Sequence, residues 1–377
     1  MKNPSALVRR AAGRFVIGFD GTTLTAELRE LIELGIGGVI LFRRNVVDPF
    51  QVAALNAEIL RAANRPLFVS VDQEGGPVQR LRAPFTEFPP HGVLGKIDDS
   101  ALTQKVASVI ARELGALGFN ADYAPLADVN TNAANPVIGI RSFGETPELV
   151  GCHAAAWIDG MQGAGMMACA KHFPGHGDTS QDSHYSLPRL SHGVARMEAI
   201  ELPPFAKCIE HRVASIMTAH VVFEQLDPGV PATLSRKVLT GLLREKMGYD
   251  GLIVSDDLEM KAIADTVGVA PSAVQSIEAG ADILLVCKSR DRILESIEAV
   301  AKRFEKGLPD GTDAADARIA KTLAAYRATV PDEKNARRVI GADPHRALVD
   351  DIAARAKAKG IAWTPSAAVA SSPVSTT

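Results

Sequence analysis

The sequence predicts a single-domain α/β protein built as a (β/α)8, TIM-type barrel. Eight short apolar runs recur along the chain, at residues 15–19, 38–42, 67–71, 119–126, 166–170, 215–219, 251–254 and 283–287. Each is followed by a polar turn and a stretch of helix-like sequence, the alternation that builds a parallel sheet covered by helices. The residues closing the runs are polar at nearly every position, as where strands open into a site at the C-terminal mouth of a barrel. A doubly wound sheet is the alternative, but no GxGxxG follows the first run, where a dinucleotide fold carries its phosphate turn.

Taken in order, the second run ends in Arg43, Arg44 and Asn45, and the third in Asp72, Gln73 and Glu74. The fourth leads into Asp128 and Asn130, with Arg141 further along its loop. The fifth delivers Lys171 and His172, the sixth His220, and the seventh Asp256 and Asp257. Any one of these could cap a helix or pair with a neighbouring charge, and for Asp128 or Asp257 alone that reading weighs as much as a functional one. Between the runs, apolar residues return at helical spacing, as at Leu102, Val106, Val109, Ile110, Leu114 and Leu117. Residues 84–95 hold three prolines and two glycines and read as an ordered surface loop near the site. Residues 346–359 form one last helix, and the uncharged Ala, Ser, Val, Thr and Pro tail from Thr364 is expected to be disordered. The catalytic barrel therefore spans residues 1–345, and residues 346–377 add the helix and tail.

Composition narrows the function. A net charge of −3 without a basic stripe argues against a nucleic-acid partner. The four cysteines show no CxxC spacing, which fits reduced thiols in a cytoplasmic protein. No stretch reaches the length of a membrane span, and residues 1–20 lack the apolar run of a signal peptide. A soluble, monomeric protein acting on a small molecule is the expectation.

The chemistry concentrates in residues 166–188, MMACAKHFPGHGDTSQDSHYSLP, an apolar run opening into a loop with three histidines, a lysine and two aspartates. Titratable groups rarely cluster so densely without a task. Asp182 lies two positions before His184; in an extended segment the two share a face, so the carboxylate can orient the ring and raise its basicity. Residues 175–187 have few apolar anchors and are expected to move in the absence of a ligand. A second constellation joins Asp72, two glycines and Arg80, where a carboxylate can accept from neighbouring sugar hydroxyls and a guanidinium can donate. The third is Asp256 and Asp257 at the end of strand seven, where a carboxylate can attack an anomeric carbon. The residues themselves leave open Asp256 against Asp257, and His176 against His184, with Asp182 favouring the latter. A zinc site of His172, His176, His184 and Asp178 is the rival, without the His-x-His or HExxH spacing of hydrolytic metal sites. His220 reads as a hydrogen-bonded supporting residue.

KHFPGHG and DSH within 171–184, DQEGG and Arg80 within 72–80, NPVIGIRSFG at 135–144 and SDDLEM at 255–260 together resemble family 3 glycoside hydrolases. More narrowly, they resemble the single-domain bacterial β-N-acetylglucosaminidases of peptidoglycan recycling. The resemblance implies Asp256 as nucleophile and His184 as general acid/base, with Asp182 as its partner. It implies that Asp72, Arg80, Arg141, Lys171 and His172 hold an N-acetylglucosamine ring, that no cofactor or metal takes part, and that the substrate is a peptidoglycan fragment. Pro77 departs from the family pattern, which implies a polar or basic residue after the double glycine. A phosphorylase sharing the covalent intermediate stays open, because a histidine acid/base does not repel phosphate as a carboxylate would, and so does a broader β-glycosidase.

Overall fold

The computed structural model describes residues 4–180 and 187–365. Eight parallel strands, β1 (Phe15–Ile17), β2 (Gly38–Leu41), β3 (Phe68–Val71), β4 (Ala121–Asp122), β5 (Met167–Phe173), β6 (Ser215–Thr218), β7 (Leu252–Asp257) and β8 (Ile283–Val286), close into one barrel in sequential order. Closure is made by β1, where Val16 pairs with Gly38 on one side and Leu285 on the other. The fold is the (β/α)8 barrel that the eight apolar runs predict.

Side-chain alternation along the strands divides the interior in two. Val16, Ile40, Phe68, Met167, Cys169, Met217, Val254 and Leu285 fill the barrel itself. Their neighbours Ile17, Val39, Val69, Ala168, Ile216, Ile253 and Leu284 pack outward under the helices. The same period aims three polar residues at the mouth. Asp72 follows Phe68 and Ser70, Lys171 follows Met167 and Cys169, and Asp256 follows Leu252 and Val254, each on the inward parity of its strand.

The helix Ser100–Ala116 shows how the outer layer forms. Asp99 accepts from Leu102 N–H at 3.0 Å and caps its start, and Leu102, Val106, Val109, Ile110 and Leu114 are buried along one face. The last helix, Asp343–Ala358, follows a tie to the barrel wall: buried Glu113 accepts from Gly341 N–H at 3.0 Å and lies 2.7 Å from His345 Nδ1. The expected disorder of the tail falls mostly on residues 366–377, outside those described. Among the described residues no helix is long and apolar enough to cross a membrane. Cys152 is exposed, Cys169, Cys208 and Cys287 are buried, and all four are free thiols.

Three local expectations need correction. Residues 84–95 are not a surface loop throughout: the helix His91–Ile97 occupies their second half and is buried over most of its length. It lies so close to the chain after Arg141 that a Cβ on Gly95 would come within 1.7 Å of the Phe143 carbonyl. Its two glycines thus serve close approach rather than a turn. Regular pairing in β4 covers only residues 121–122, because Pro125 supplies no N–H, although its carbonyl still accepts from Lys171 N–H at 3.1 Å. Conversely, β5 runs on through Lys171 and His172 to Phe173 rather than stopping at Ala170.

Candidate active site

The polar strand ends surround a cavity of about 400 Å³ at the C-terminal mouth. Asp72, Arg80, Arg141, Lys171, His172 and Asp256 all line it, so the structure brings together every described residue that the sequence singles out for sugar binding or attack. Phe42, Val137, Met217 and Met260 add apolar wall, and Arg44 and Arg80 lie over the Phe42 ring at 4.6 and 5.7 Å.

One half of the cavity is a lattice of ion pairs. Lys171 Nζ donates to Asp72 Oδ1 at 2.8 Å and lies 2.7 Å from Glu74 Oε1. Arg141 grips the same Glu74 with two parallel bonds, Nε to Oε2 at 2.9 Å and Nη2 to Oε1 at 2.8 Å, the bidentate geometry that a guanidinium makes with a carboxylate. Arg80 Nη2 lies 3.3 Å from Asp72 Oδ2. Glu74 is 2% exposed, and burial alone would raise its carboxyl; Arg141 and Lys171 reverse that and hold it far below the ordinary range. Burial also opposes ionisation of Asp72, and Lys171 and Arg80 again win, leaving it lowered. Desolvation would discharge Lys171, but Asp72 and Glu74 raise it well above an ordinary lysine.

Glu74 is delivered by a small hairpin in which Gln73–Gly75 pairs antiparallel with Val78–Gln79. Gly75 has φ +95°, and a Cβ there would meet the Pro89 carbonyl at 2.4 Å, so the turn needs glycine both for its angle and for its space. Gln73 closes the hairpin, accepting from the N–H groups of Arg80 at 2.8 Å and Leu81 at 3.1 Å. Pro77 sits exposed at the tip, where its missing N–H does no harm.

The other half is held by hydrogen bonds to loops. Pairing of β5 with β6 shifts register between Ala170 and Phe173, and such an irregularity re-aims a side chain. His172 thereby reaches the cavity although strict alternation would turn it outward. Its Nδ1 lies 2.8 Å from Asp128 Oδ2, and Asp128 also accepts the N–H groups of His172 at 3.1 Å and His176 at 2.7 Å. Burial would raise Asp128, but His172 and His176 lower it. His176 Nδ1 lies 2.8 Å from Thr179 Oγ1; burial, with His172 beside it, pushes the imidazole down to about 4, so it is neutral at pH 7.

At the end of β7 the two aspartates differ. Burial would raise Asp256, but His220, His172 and the Asp257 N–H, which donates at 2.8 Å, leave it lowered and ionised. Asp257 is pushed up to about 7, mainly by burial. Its Oδ1 accepts the N–H groups of Glu259 at 3.0 Å and Cys287 at 3.2 Å. His220 supports this turn: its ring bridges Thr233 Oγ1 at 2.9 Å and the Asp257 carbonyl at 3.0 Å.

Asp182 and His184 lie outside the described residues. The stem before them is anchored, with Asp178 accepting from Thr131 Oγ1 at 2.8 Å and lying 2.8 Å from His192 Nε2. Among the described residues no group of three or more His, Cys, Asp or Glu is arranged to hold a metal. Sequence reasoning left Glu74 as part of a turn motif and missed its clamp on Lys171 and Arg141. Its place just before a double glycine was the available signal.

Comparison with known proteins fixes the family. Residues 15–321 match the glycosyl hydrolase family 3 N-terminal domain. The chain belongs to this family. A β-hexosaminidase of Alkalilimnicola ehrlichii is 39% identical over 316 residues, covering 82% of this chain and 88% of that protein. Among solved structures, a family 3 β-N-acetylglucosaminidase from Paenibacillus sp. aligns with a TM-score of 0.86 at 39% identity, over 93% of this chain and 69% of that one. NagZ from Neisseria gonorrhoeae, in complex with N-trifluoroacetyl-D-glucosamine, aligns with a TM-score of 0.74 at 34% identity, over 91% of this chain and 98% of that one. This family 3 chain is therefore a glycoside hydrolase of the β-N-acetylhexosaminidase kind.

Proposed function

We propose that this β-N-acetylhexosaminidase retains configuration and removes terminal non-reducing GlcNAc from β-1,4-linked peptidoglycan fragments in the cytoplasm. The fragment is GlcNAc–anhydro-MurNAc, with or without its peptide, and the intermediate is a covalent glycosyl-aspartate on Asp256. The observation carrying this reading is how the cavity's carboxylates are committed. Asp72 and Glu74 are tied to Lys171, Arg80 and Arg141, and Asp257 is raised to about 7. Asp256 alone among these four is lowered yet makes no salt bridge with a described residue. An ionised carboxylate without a cation of its own is what attack on an anomeric carbon requires.

Asp72, with one oxygen on Lys171 and the other facing Arg80, keeps lone pairs for two sugar hydroxyls, while Arg80, Lys171, Arg141 and His172 orient the ring. That the Neisseria protein was solved in complex with an N-acylated glucosamine supports GlcNAc as the sugar recognised. His184, oriented by Asp182, protonates the leaving oxygen as imidazolium and then deprotonates the attacking water. The lowered imidazole of His176 weighs against it as the acid, because a neutral imidazole is a poor proton donor at pH 7.

The test is product analysis on an aryl β-N-acetylglucosaminide and on GlcNAc–anhydro-MurNAc, with and without phosphate. Release of GlcNAc, first as the β anomer and independent of phosphate, is expected. Formation of GlcNAc 1-phosphate would establish the phosphorylase instead.

A further inference from the structure

The loop that carries Arg141 and the loop that carries the histidines meet at one buried amide. Asn135 is 6% exposed. Its Oδ1 accepts the N–H groups of Val137 and Ile138, both at 2.9 Å, and so starts the turn that delivers Arg141. Arg141 Nη1 closes that turn by donating to the Val137 carbonyl at 3.1 Å. On its other edge, Asn135 Nδ2 faces three oxygens of the histidine loop: the His176 carbonyl at 2.9 Å, the Gly177 carbonyl at 3.1 Å and Thr179 Oγ1 at 3.2 Å. Two N–H groups on one edge and three oxygens on the other fix which way the amide points. Thr179 Oγ1 also donates to the His176 carbonyl at 3.1 Å, so the stem before residue 181 closes on itself through the same contact.

We propose that Asn135 is a positioning residue for the acid/base step, setting the stem of the histidine loop relative to the Arg141 turn that holds the sugar. The inference rests on the reading of His184 as acid/base. Its physical content is that one side chain serves two loops with opposite chemistry. Asn135→Asp keeps the acceptor edge and the Arg141 turn, but turns a carboxylate oxygen toward two carbonyls and a hydroxyl. The sugar contacts should survive while the acid/base loses its placement.

The test measures wild type, Asn135→Asp, Thr179→Val and His184→Ala on two substrates, a GlcNAc disaccharide with a poor leaving group and a dinitrophenyl β-N-acetylglucosaminide with a good one. Thr179→Val removes a single hydroxyl from the histidine edge and covers the case in which the Asp variant does not fold. Loss of a buried hydrogen-bond partner sets the scale. Asn135→Asp should lower kcat/KM on the disaccharide by about 10- to 100-fold, with the burst rate on the dinitrophenyl glycoside and inhibition by free GlcNAc within about threefold of wild type. Thr179→Val should show the same split with a smaller loss of about 3- to 10-fold on the disaccharide. Lowering the pH should narrow the deficit of Asn135→Asp relative to wild type, because a protonated carboxyl regains a donor. Equal loss on both substrates, weakened GlcNAc inhibition, or no loss in either variant would overturn the proposal. A split in His184→Ala without one in Asn135→Asp and Thr179→Val would overturn this inference alone; no split in His184→Ala would overturn the acid/base assignment with it.

Discussion

The two halves of the cavity are built from different materials. On one side, Asp72, Glu74, Lys171 and Arg141 form a buried ion lattice anchored in strand ends and a tight hairpin. On the other, His172 and His176 bond to the accepting carboxylate of Asp128, and the stem leading toward His184 is held by Asn135 and Thr179. A lattice of desolvated charges is rigid and intolerant of losing a member, since each survivor is left buried and unpaired. A loop held mainly by hydrogen bonds to one buried carboxylate, Asp128, and to neutral groups at Asn135 and Thr179 has fewer paired charges to break. It therefore costs less to displace and can tighten around a substrate. On the proposed mechanism, holding the ring and moving the proton call on different parts of the barrel. Substitutions in the lattice should damage binding and stability together, whereas those in the loop should damage the chemistry of poor leaving groups and leave stability nearly alone.

The largest effect is expected at the point both halves serve. Asp256→Ala should lower turnover of every substrate by at least about 10⁴-fold, whatever its leaving group, because the proposed mechanism passes through a covalent bond to that carboxylate. Next, His184→Ala should cost roughly 10²–10⁴-fold on a natural disaccharide but far less in the burst phase with a dinitrophenyl glycoside. A burst of phenol before a slow steady state, raised by azide with release of β-glycosyl azide, would place the loss in the acid/base. Glu74→Ala should lower unfolding free energy by about 3–5 kcal/mol in urea titrations, because it leaves Arg141 buried without a carboxylate and Lys171 with Asp72 alone. If His184→Ala destabilised the fold as much as Glu74→Ala, the contrast between the halves would fail.

The smallest effect at pH 7 sits behind the lattice. His91 is buried, stacks on Phe143 at 4.3 Å, and is pushed down by burial to about 3 from an ordinary 6.5. Between those values the unfolded chain binds the proton and the folded chain does not, so stability falls as pH drops from about 6.5 toward 3. His91→Phe keeps the stack and removes the titration. Thermal melts should show the variant gaining on wild type by at most about 1.4 kcal/mol per pH unit across that window, with activity at pH 7 changed less than about threefold.

Much of the first half was legible in the sequence, because it follows from strand parity. Once the apolar runs are read as strands, Asp72, Lys171 and Asp256 fall on the inward face of β3, β5 and β7. His172 does not, since the register shift that turns it inward leaves no trace in hydrophobic pattern. Glu74 was visible as a carboxylate beside two glycines, but its partners arrive from β5 and from the loop after β4, and only the closed barrel brings them together. Asn135 stood in plain view in the NPVIGIRSFG stretch, yet an asparagine before proline reads as an ordinary turn residue. The helix at His91–Ile97 was hidden by the prolines before it and by its two glycines, whose role is tight packing rather than chain reversal.

The central claim is that Asp256 carries the sugar between the two halves of the reaction. The most direct test is to inactivate the enzyme with a 5-fluoro-N-acetylglucosaminyl fluoride and map the labelled peptide by mass spectrometry. Deactivated departure of the sugar should leave one GlcNAc-derived adduct per chain, on the peptide containing Asp256, and Asp256→Ala should take up none. An adduct on another residue, or turnover that yields inverted product with no adduct at all, would contradict the account.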